Sequence, residues 1–198
     1  MRVRHGVRRE VQRKEFPMIE RASGGQSGEV LDLPIEVDDA VILLLGGLHL
    51  ATSGGVEGIT KLEKLVFLLE RESLVGRCLT ENPEFSSHTF GPFSEKVYRA
   101  VDTLVAAELV LDSVKASNTN EDSWEMEQII GIDEARYLTR TFTLSERGKL
   151  YCNALLLGLP AEISDQLAEF KRRFTTLPLR QLIRYIHLKY PEFTTPGL

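Results

Sequence analysis

A mostly helical α+β domain is what the sequence predicts, with a helix-turn-helix core, a small β-hairpin and a set of C-terminal helices. Three observations carry this. Gly58-Ile-Thr-Lys-Leu-Glu-Lys-Leu-Val-Phe-Leu-Leu-Glu70 is an amphipathic helix pattern, with Leu62, Leu65, Val66 and Leu69 on one stripe at i, i+3, i+4, i+7. Phe90-Gly-Pro-Phe-Ser94 then opens a second amphipathic helix, and two helices with defined starts joined by a connection suggest a helix-turn-helix. Leu109–Val114 and Tyr137–Thr143 are the most strand-like runs, and together they predict a hairpin with an oversized loop.

In chain order, residues 1–37 crowd Arg2, Arg4, Arg8, Arg9, Arg13 and Lys14 ahead of Ser23-Gly-Gly-Gln-Ser-Gly28, which predicts a flexible basic N-terminal extension. A single domain is expected over 38–198, made of a core at 38–144 and C-terminal helices at 145–198. Its first helix starts at Asp38 or Asp39 and runs to Leu50, apolar almost all round and so buried on several sides. The Gly46-Gly47 pair predicts that another helix packs closely against it. After a loop at 52–58, Thr60 and Glu63 have capping-box spacing, which starts a helix over 60–71.

Residues 73–93 have an irregular pattern, with Asn82-Pro83 as a turn, a short strand over Phe85–Phe90, and Pro92 biasing Gly91 toward extended backbone. Ser94 is the expected N-cap of a helix over 94–108, with Glu95 beside the positive helix end and Phe93 packed on Tyr98 as a hydrophobic staple. The hairpin loop at 115–136 is an acidic insertion that contains Trp124, and a loop of this length is usually functional, disordered, or in possession of its own short helix. Ser145 or Thr143 caps the next helix, to about Leu157, with Thr143 and Glu146 matching a second capping box. Gly158 and Pro160 separate it from a helix over 161–174, and Thr176 with Pro178 starts a last helix that Pro191 ends.

Composition narrows the function classes. A formal net charge of -5 and a pI near 5.5 argue against a polyanion binder as a whole, since neutralising phosphates needs clustered Lys and Arg. The two cysteines, Cys78 and Cys152, have neither disulfide-framework nor zinc-ligand spacing, which fits a reducing cytoplasm. The longest apolar run is about half of the roughly 20 residues a membrane span needs, so no membrane association is expected. His5, His49, His88 and His187 are scattered without HExxH or i, i+4 partners, and no P-loop or Gly-x-Ser-x-Gly spacing occurs, so no catalytic residue, metal or cofactor is expected.

Helix 94–108 offers Lys96 and Arg99 to a partner, beside Glu95 and Asp102, which is a thin surface for reading a major groove. Lys61 and Lys64, on the helix that precedes the Gly-Pro-Phe-Ser turn, are further candidate contacts, as is Trp124. A basic cluster, Lys171-Arg-Arg173 with Arg180, Arg184 and Lys189, reads as a solvated face that complements helix C-termini. Thr60, Glu63, Gly91, Pro92, Phe93 and Ser94 are read as caps and turn residues.

The order Thr60-Lys-Leu-Glu-Lys-Leu-Val-Phe-Leu-Leu69, Phe90-Gly-Pro-Phe-Ser94, Ala107-Glu-Leu-Val110, Phe142-Thr-Leu-Ser-Glu-Arg-Gly148 and Ile183-Arg-Tyr-Ile-His-Leu-Lys-Tyr-Pro-Glu-Phe193 resembles the prokaryotic YwgA-like proteins and the related Panacea-domain, SocA-like antitoxins. The likeness covers roughly residues 40–193; the insertion at 116–136 and residues 1–37 depart from it. It implies a mostly helical, winged-helix-like core with a small β-hairpin and a C-terminal helical extension. In the Panacea branch it also implies neutralisation of a toxin by direct protein contact. The expectation is therefore a non-enzymatic, cytoplasmic regulatory protein, antitoxin-like, acting by protein–protein contact. A DNA-binding transcriptional regulator of the winged-helix type is the alternative, and a homodimer is left open.

Overall fold

The computed structural model of the chain describes residues 34–46, 55–88, 90–116 and 138–193. Its element order is α1 (Val37–Leu45), β1 (Val56–Glu57), α2 (Ile59–Glu72), a 3-10 turn (Leu74–Cys78), α3 (Glu95–Ala106), β2 (Val110–Ala116), β3 (Leu138–Leu144), α4 (Glu146–Gly158), α5 (Ala161–Phe174) and α6 (Leu179–Lys189), closed by a 3-10 turn at Pro191–Phe193. The fold is α+β and mostly helical, as expected. The hairpin gains a third strand: β3 is central in an antiparallel sheet of order β1-β3-β2, where Val56 pairs with Phe142 and Val110 with Leu144.

α1 is the hub of the core. Every residue from Asp39 to Leu45 is buried, because α2, α3, α4 and β3 pack around it. It begins earlier than its acidic start signal suggests, and residues 34–37 belong to the fold rather than to the extension. Ile35 is fully buried, its N–H donates to the Cys78 carbonyl at 3.1 Å, and its carbonyl accepts from the Thr80 N–H at 2.9 Å. α1 also ends earlier, at Leu45, not at Leu50. Gly46 is extended there, and a Cβ on it would collide with Cys152 Sγ of α4, so the expected close helix contact is present and needs glycine.

α1 carries no basic residue in its last turn. Lys171, reaching across from α5, supplies one: its buried Nζ donates to the Gly46 carbonyl, placing a cation at the negative helix end. Burial pulls its pKa down to about 8. At the other end of α1, the Glu36 N–H donates to Asp39 Oδ2 at 3.1 Å, and the Tyr151 hydroxyl of α4 donates to Asp39 Oδ1 at 2.7 Å.

The C-terminal helices are bound in by a second polar hub. Glu72, at the end of α2, accepts from the hydroxyls of Tyr185 at 2.8 Å and Tyr190 at 3.1 Å, and from Lys189 Nζ at 2.9 Å. Burial pushes its carboxyl up, but these donors outweigh burial and hold it below the usual range. The basic cluster read from the sequence is thereby dispersed. Lys171 is buried under α1, Arg173 and Lys189 converge on Glu72, and Arg172 and Arg184 face outward elsewhere.

Candidate functional site

The second amphipathic helix and the turn that launches it form the best-defined surface feature. Ser94 caps α3 as expected, its Oγ accepting from the Val97 N–H at 3.2 Å, and Phe93 packs on Tyr98 with ring centroids 5.4 Å apart. The turn is closed by one antiparallel bridge. Ser86 and Phe93 exchange N–H···O bonds of 2.8 and 2.9 Å, which replaces the strand expected over Phe85–Phe90. Gly91 sits at φ 89°, not in the extended geometry expected before proline, and this is backbone that L side chains rarely adopt. A Cβ there would meet no clash, for the atoms nearest to where it would stand, on His187, Ile186 and Lys64, are all 3.7 Å away.

Two sequence assignments on α2 change. Thr60 is not its cap, since the N-cap is Gly58 at φ 83° and Thr60 lies inside the first turn. Glu63 consequently closes no capping box with Thr60. Its Oε1 accepts instead from the Ser94 N–H at 2.8 Å, and its Oε2 pairs with Lys64 Nζ at 2.8 Å. Lys64 also donates to the Pro92 carbonyl at 2.9 Å. Both residues are 1% exposed, so Lys64 offers no surface to a partner and acts as a rivet between α2 and the Gly-Pro-Phe-Ser turn.

Burial raises the Glu63 carboxyl, and Lys64, the Ser94 N–H and His88 offset only part of that rise. His187 of α6 lies against the same turn with its buried Nε2 lacking a hydrogen-bond partner; burial, then the Lys64 charge, lowers its pKa. His88 itself is exposed, with its ring 5.7 Å from that of Phe93.

Outward from this rivet lies the exposed face of α3. Glu95, Arg99, Asp102 and Ala106 form its solvent stripe at helical spacing, and Lys96 stands at its flank. Both cations are engaged. Lys96 Nζ lies 3.0 Å from Glu84, 3.4 Å from Glu81 and 2.9 Å from the Asn82 carbonyl, while Arg99 pairs with Glu95 at 3.7 Å. Four exposed carboxylates (Glu81, Glu84, Glu95 and Asp102) thus accompany two cations on this side, while Glu108, beyond the end of α3, pairs with Arg147 of α4 at 3.8 Å. An open cleft of about 250 Å³ runs between α1 and α3, lined by Asp38, Glu81, Lys96, Arg99 and Thr103 among others. Burial, then Glu36, Asp39 and Glu81, raises the Asp38 carboxyl.

The hairpin flank is equally occupied. Arg140 of β3 makes a two-pronged contact with Asp112 of β2, with bonds of 3.0 and 2.7 Å to Oδ2, and lies over the Phe142 ring at 5.1 Å. Of the other candidates, Lys61 is half-buried on α2, and Trp124, with residues 117–137, lies outside the described residues. Glu81 and Glu84 do not stand out in the sequence. Their only local signal is the Asn82-Pro83 turn, which aims them at Lys96 once Glu84 takes a positive φ of 57°.

Among the described residues, no three His, Cys, Asp or Glu side chains gather into a metal-holding group, and no helix is long and apolar enough to cross a membrane. Comparisons with protein families, curated proteins and solved structures gave no match for this chain.

Proposed function

We propose that this chain is a non-enzymatic interaction protein built on a winged-helix-type scaffold, and that the exposed face of α3 docks a protein partner with a basic surface. The element order α1-β1-α2-α3-β2-β3, with β3 central in the sheet, supports the scaffold reading. The observation that carries the docking reading is the engagement of Lys96 and Arg99 by Glu81, Glu84 and Glu95. A helix that reads DNA needs cations and amides free for phosphates and base edges, and its neutralised phosphates outweigh any carboxylate nearby. A face on which carboxylates outnumber cations repels a duplex and attracts a basic protein patch.

The buried ionisable groups support a structural rather than a catalytic use of the interior. Glu63 and Lys64 hold the turn, Glu72 holds α6, and Lys171 holds the end of α1. The resemblance to the YwgA-like and Panacea-domain proteins makes a toxin the partner of choice, encountered in the cytoplasm, where the free thiols of Cys78 and Cys152 stay reduced. Co-expression with the product of the adjacent open reading frame tests this. The proposal requires a complex that co-purifies and is lost in a Glu95→Lys, Asp102→Lys variant of unchanged circular dichroism. A failure of the wild-type chain to form any complex or to relieve toxicity overturns the antitoxin reading.

A DNA-binding regulator is the competing reading, since the same element order suits it. It would have to use α3 against its own carboxylates.

A further inference from the structure

From the cleft between α1 and α3, we infer that the protein partner inserts an arginine side chain there, its guanidinium against Asp38 and its stem across Val37 and Ala100. The inference rests on the proposal that the α3 side docks a basic protein surface, and it names the group that enters. The cleft, of about 250 Å³, lies between the first turn of α1 and α3. Two of its lining residues are apolar and buried, Val37 at 1% and Ala100 at 4% exposed, while Asp38, Glu81 and Thr103 add polar groups. An arginine side chain has the same division, with an aliphatic stem that packs on apolar surface and a planar cation at its tip.

Asp38 is the residue that calls for a cation. It is half-buried and lines the cleft, yet among the described residues its carboxylate makes no hydrogen bond and no ion pair. Burial, then Glu36, Asp39 and Glu81, raises its carboxyl, and no cation offsets them. The neighbouring carboxylates are already employed. Asp39 accepts from the Glu36 N–H and the Tyr151 hydroxyl, and Glu81 is shared between the Val37 N–H at 3.5 Å and Lys96 at 3.4 Å. Asp38 is left over, and a partly desolvated charge with no counter-ion is where an incoming cation gains most.

The two cations that line the cleft do not fill this role. Lys96 is drawn to Glu84 at 3.0 Å and to the Asn82 carbonyl at 2.9 Å, and Arg99 pairs along its own helix with Glu95 at 3.7 Å. Both charges are thus compensated by carboxylates other than Asp38. The geometry also favours arginine over lysine as the guest. A guanidinium has donors on several edges and can reach Asp38 and Glu81 together, and it surrenders less hydration on entry than an ammonium does.

Titration of the isotopically labelled full chain with argininamide, followed by amide NMR shifts, tests the inference without the partner. Shifts should centre on Val37, Asp38, Ala100 and Thr103 and saturate in the millimolar range, while citrullinamide, the neutral isostere, should cause none there. Asp38→Asn should abolish the response, and Glu162→Gln, at an exposed position on α5, should keep it. Thr103→Arg, exposed and on the cleft, supplies the cation from within the chain and should abolish it too. In the complex with the product of the adjacent open reading frame, Asp38→Asn should weaken binding about tenfold at unchanged circular dichroism. No shift at Asp38 in the wild-type chain, or equal shifts with citrullinamide, overturns the inference. So would a complex that is lost in Glu95→Lys, Asp102→Lys but indifferent to Asp38→Asn, a result that leaves the docking on α3 intact. The absence of any complex overturns the docking reading, and this inference with it.

Discussion

Replacing Lys64 by Met removes the cation of the buried rivet while keeping the length of the side chain. Two groups are then stranded: the Glu63 carboxylate, left with the Ser94 N–H, and the Pro92 carbonyl, left with no side-chain donor. Breaking a buried pair by removing one partner costs about 3–5 kcal/mol. Glu63 has an escape, which is to bind a proton. From its ordinary 4.5, protonation at pH 7 costs at most about 3.4 kcal/mol, and burial has already raised its pKa and so lowers that figure. The loss at pH 7 should therefore be about 3 kcal/mol.

The sign of its pH dependence follows. With Lys64 gone, the folded pKa of Glu63 rises further above the unfolded value, the native state holds the extra proton, and stability falls as pH rises through that window. Lys64→Met should therefore recover part of its loss between pH 7 and pH 5. In Glu63→Gln, Lys64→Met the orphan charge is gone and the amide still accepts from Ser94, so the double variant should be more stable than Lys64→Met alone, with a coupling of about 1–2 kcal/mol. Urea unfolding followed by far-UV circular dichroism measures all three. A loss below about 0.5 kcal/mol, typical of an exposed lysine, or strict additivity in the double variant would refute the rivet.

Three further outcomes follow from the other polar contacts. Glu72→Gln should loosen α6 by about 1–3 kcal/mol; because the Glu72 carboxyl is held low, its contribution is present above its ordinary 4.5 and fades as pH falls through the lower folded value, so the thermal midpoints of wild type and variant should converge in acid. Lys171 has a dependence of the same sign in an alkaline window: with its pKa lowered to about 8, the folded state sheds its proton first, and stability relative to Lys171→Met should rise as pH climbs from about 8 toward the ordinary lysine value of 10.5, read as a difference in thermal midpoint. Gly91→Ala should cost about 1–2 kcal/mol in chemical denaturation through its positive φ and not through a clash at Cβ, and Gly91→Val should cost more, because a β-branched residue tolerates positive φ less well.

What was legible in the sequence was local. The Ser94 cap, the Phe93–Tyr98 staple and the helix over 161–174 depend on residues a turn or so apart, and they stand as read. The assignments that moved are those set by partners distant in the chain. Thr60 and Glu63 have the spacing of a capping box, but Glu63 finds a better donor in Ser94, thirty-one positions on, and α2 begins at Gly58 instead. Lys64 looks like a surface residue because polar residues at i and i+3 usually mark the solvent side of a helix. It is buried because the Gly91-Pro92 turn folds back over it and presents a carbonyl. The basic cluster near the C-terminus is scattered for the same reason, since Glu72 and the end of α1 each draw cations from it.

The acidic character of the α3 side was half visible. Glu95 and Asp102 could be counted along the helix, whereas Glu81 and Glu84 reach Lys96 through the turn geometry at Asn82-Pro83.

Fluorescence anisotropy with a labelled DNA duplex at low and moderate salt tests the central claim, that the α3 face serves protein contact and not groove reading. If the claim holds, any binding contributed by residues 1–33 will be the same in wild type and in Lys96→Ala, Arg99→Ala, with an unchanged salt slope. A loss of affinity in that variant, with the slope reduced by about one per cation removed, would contradict it.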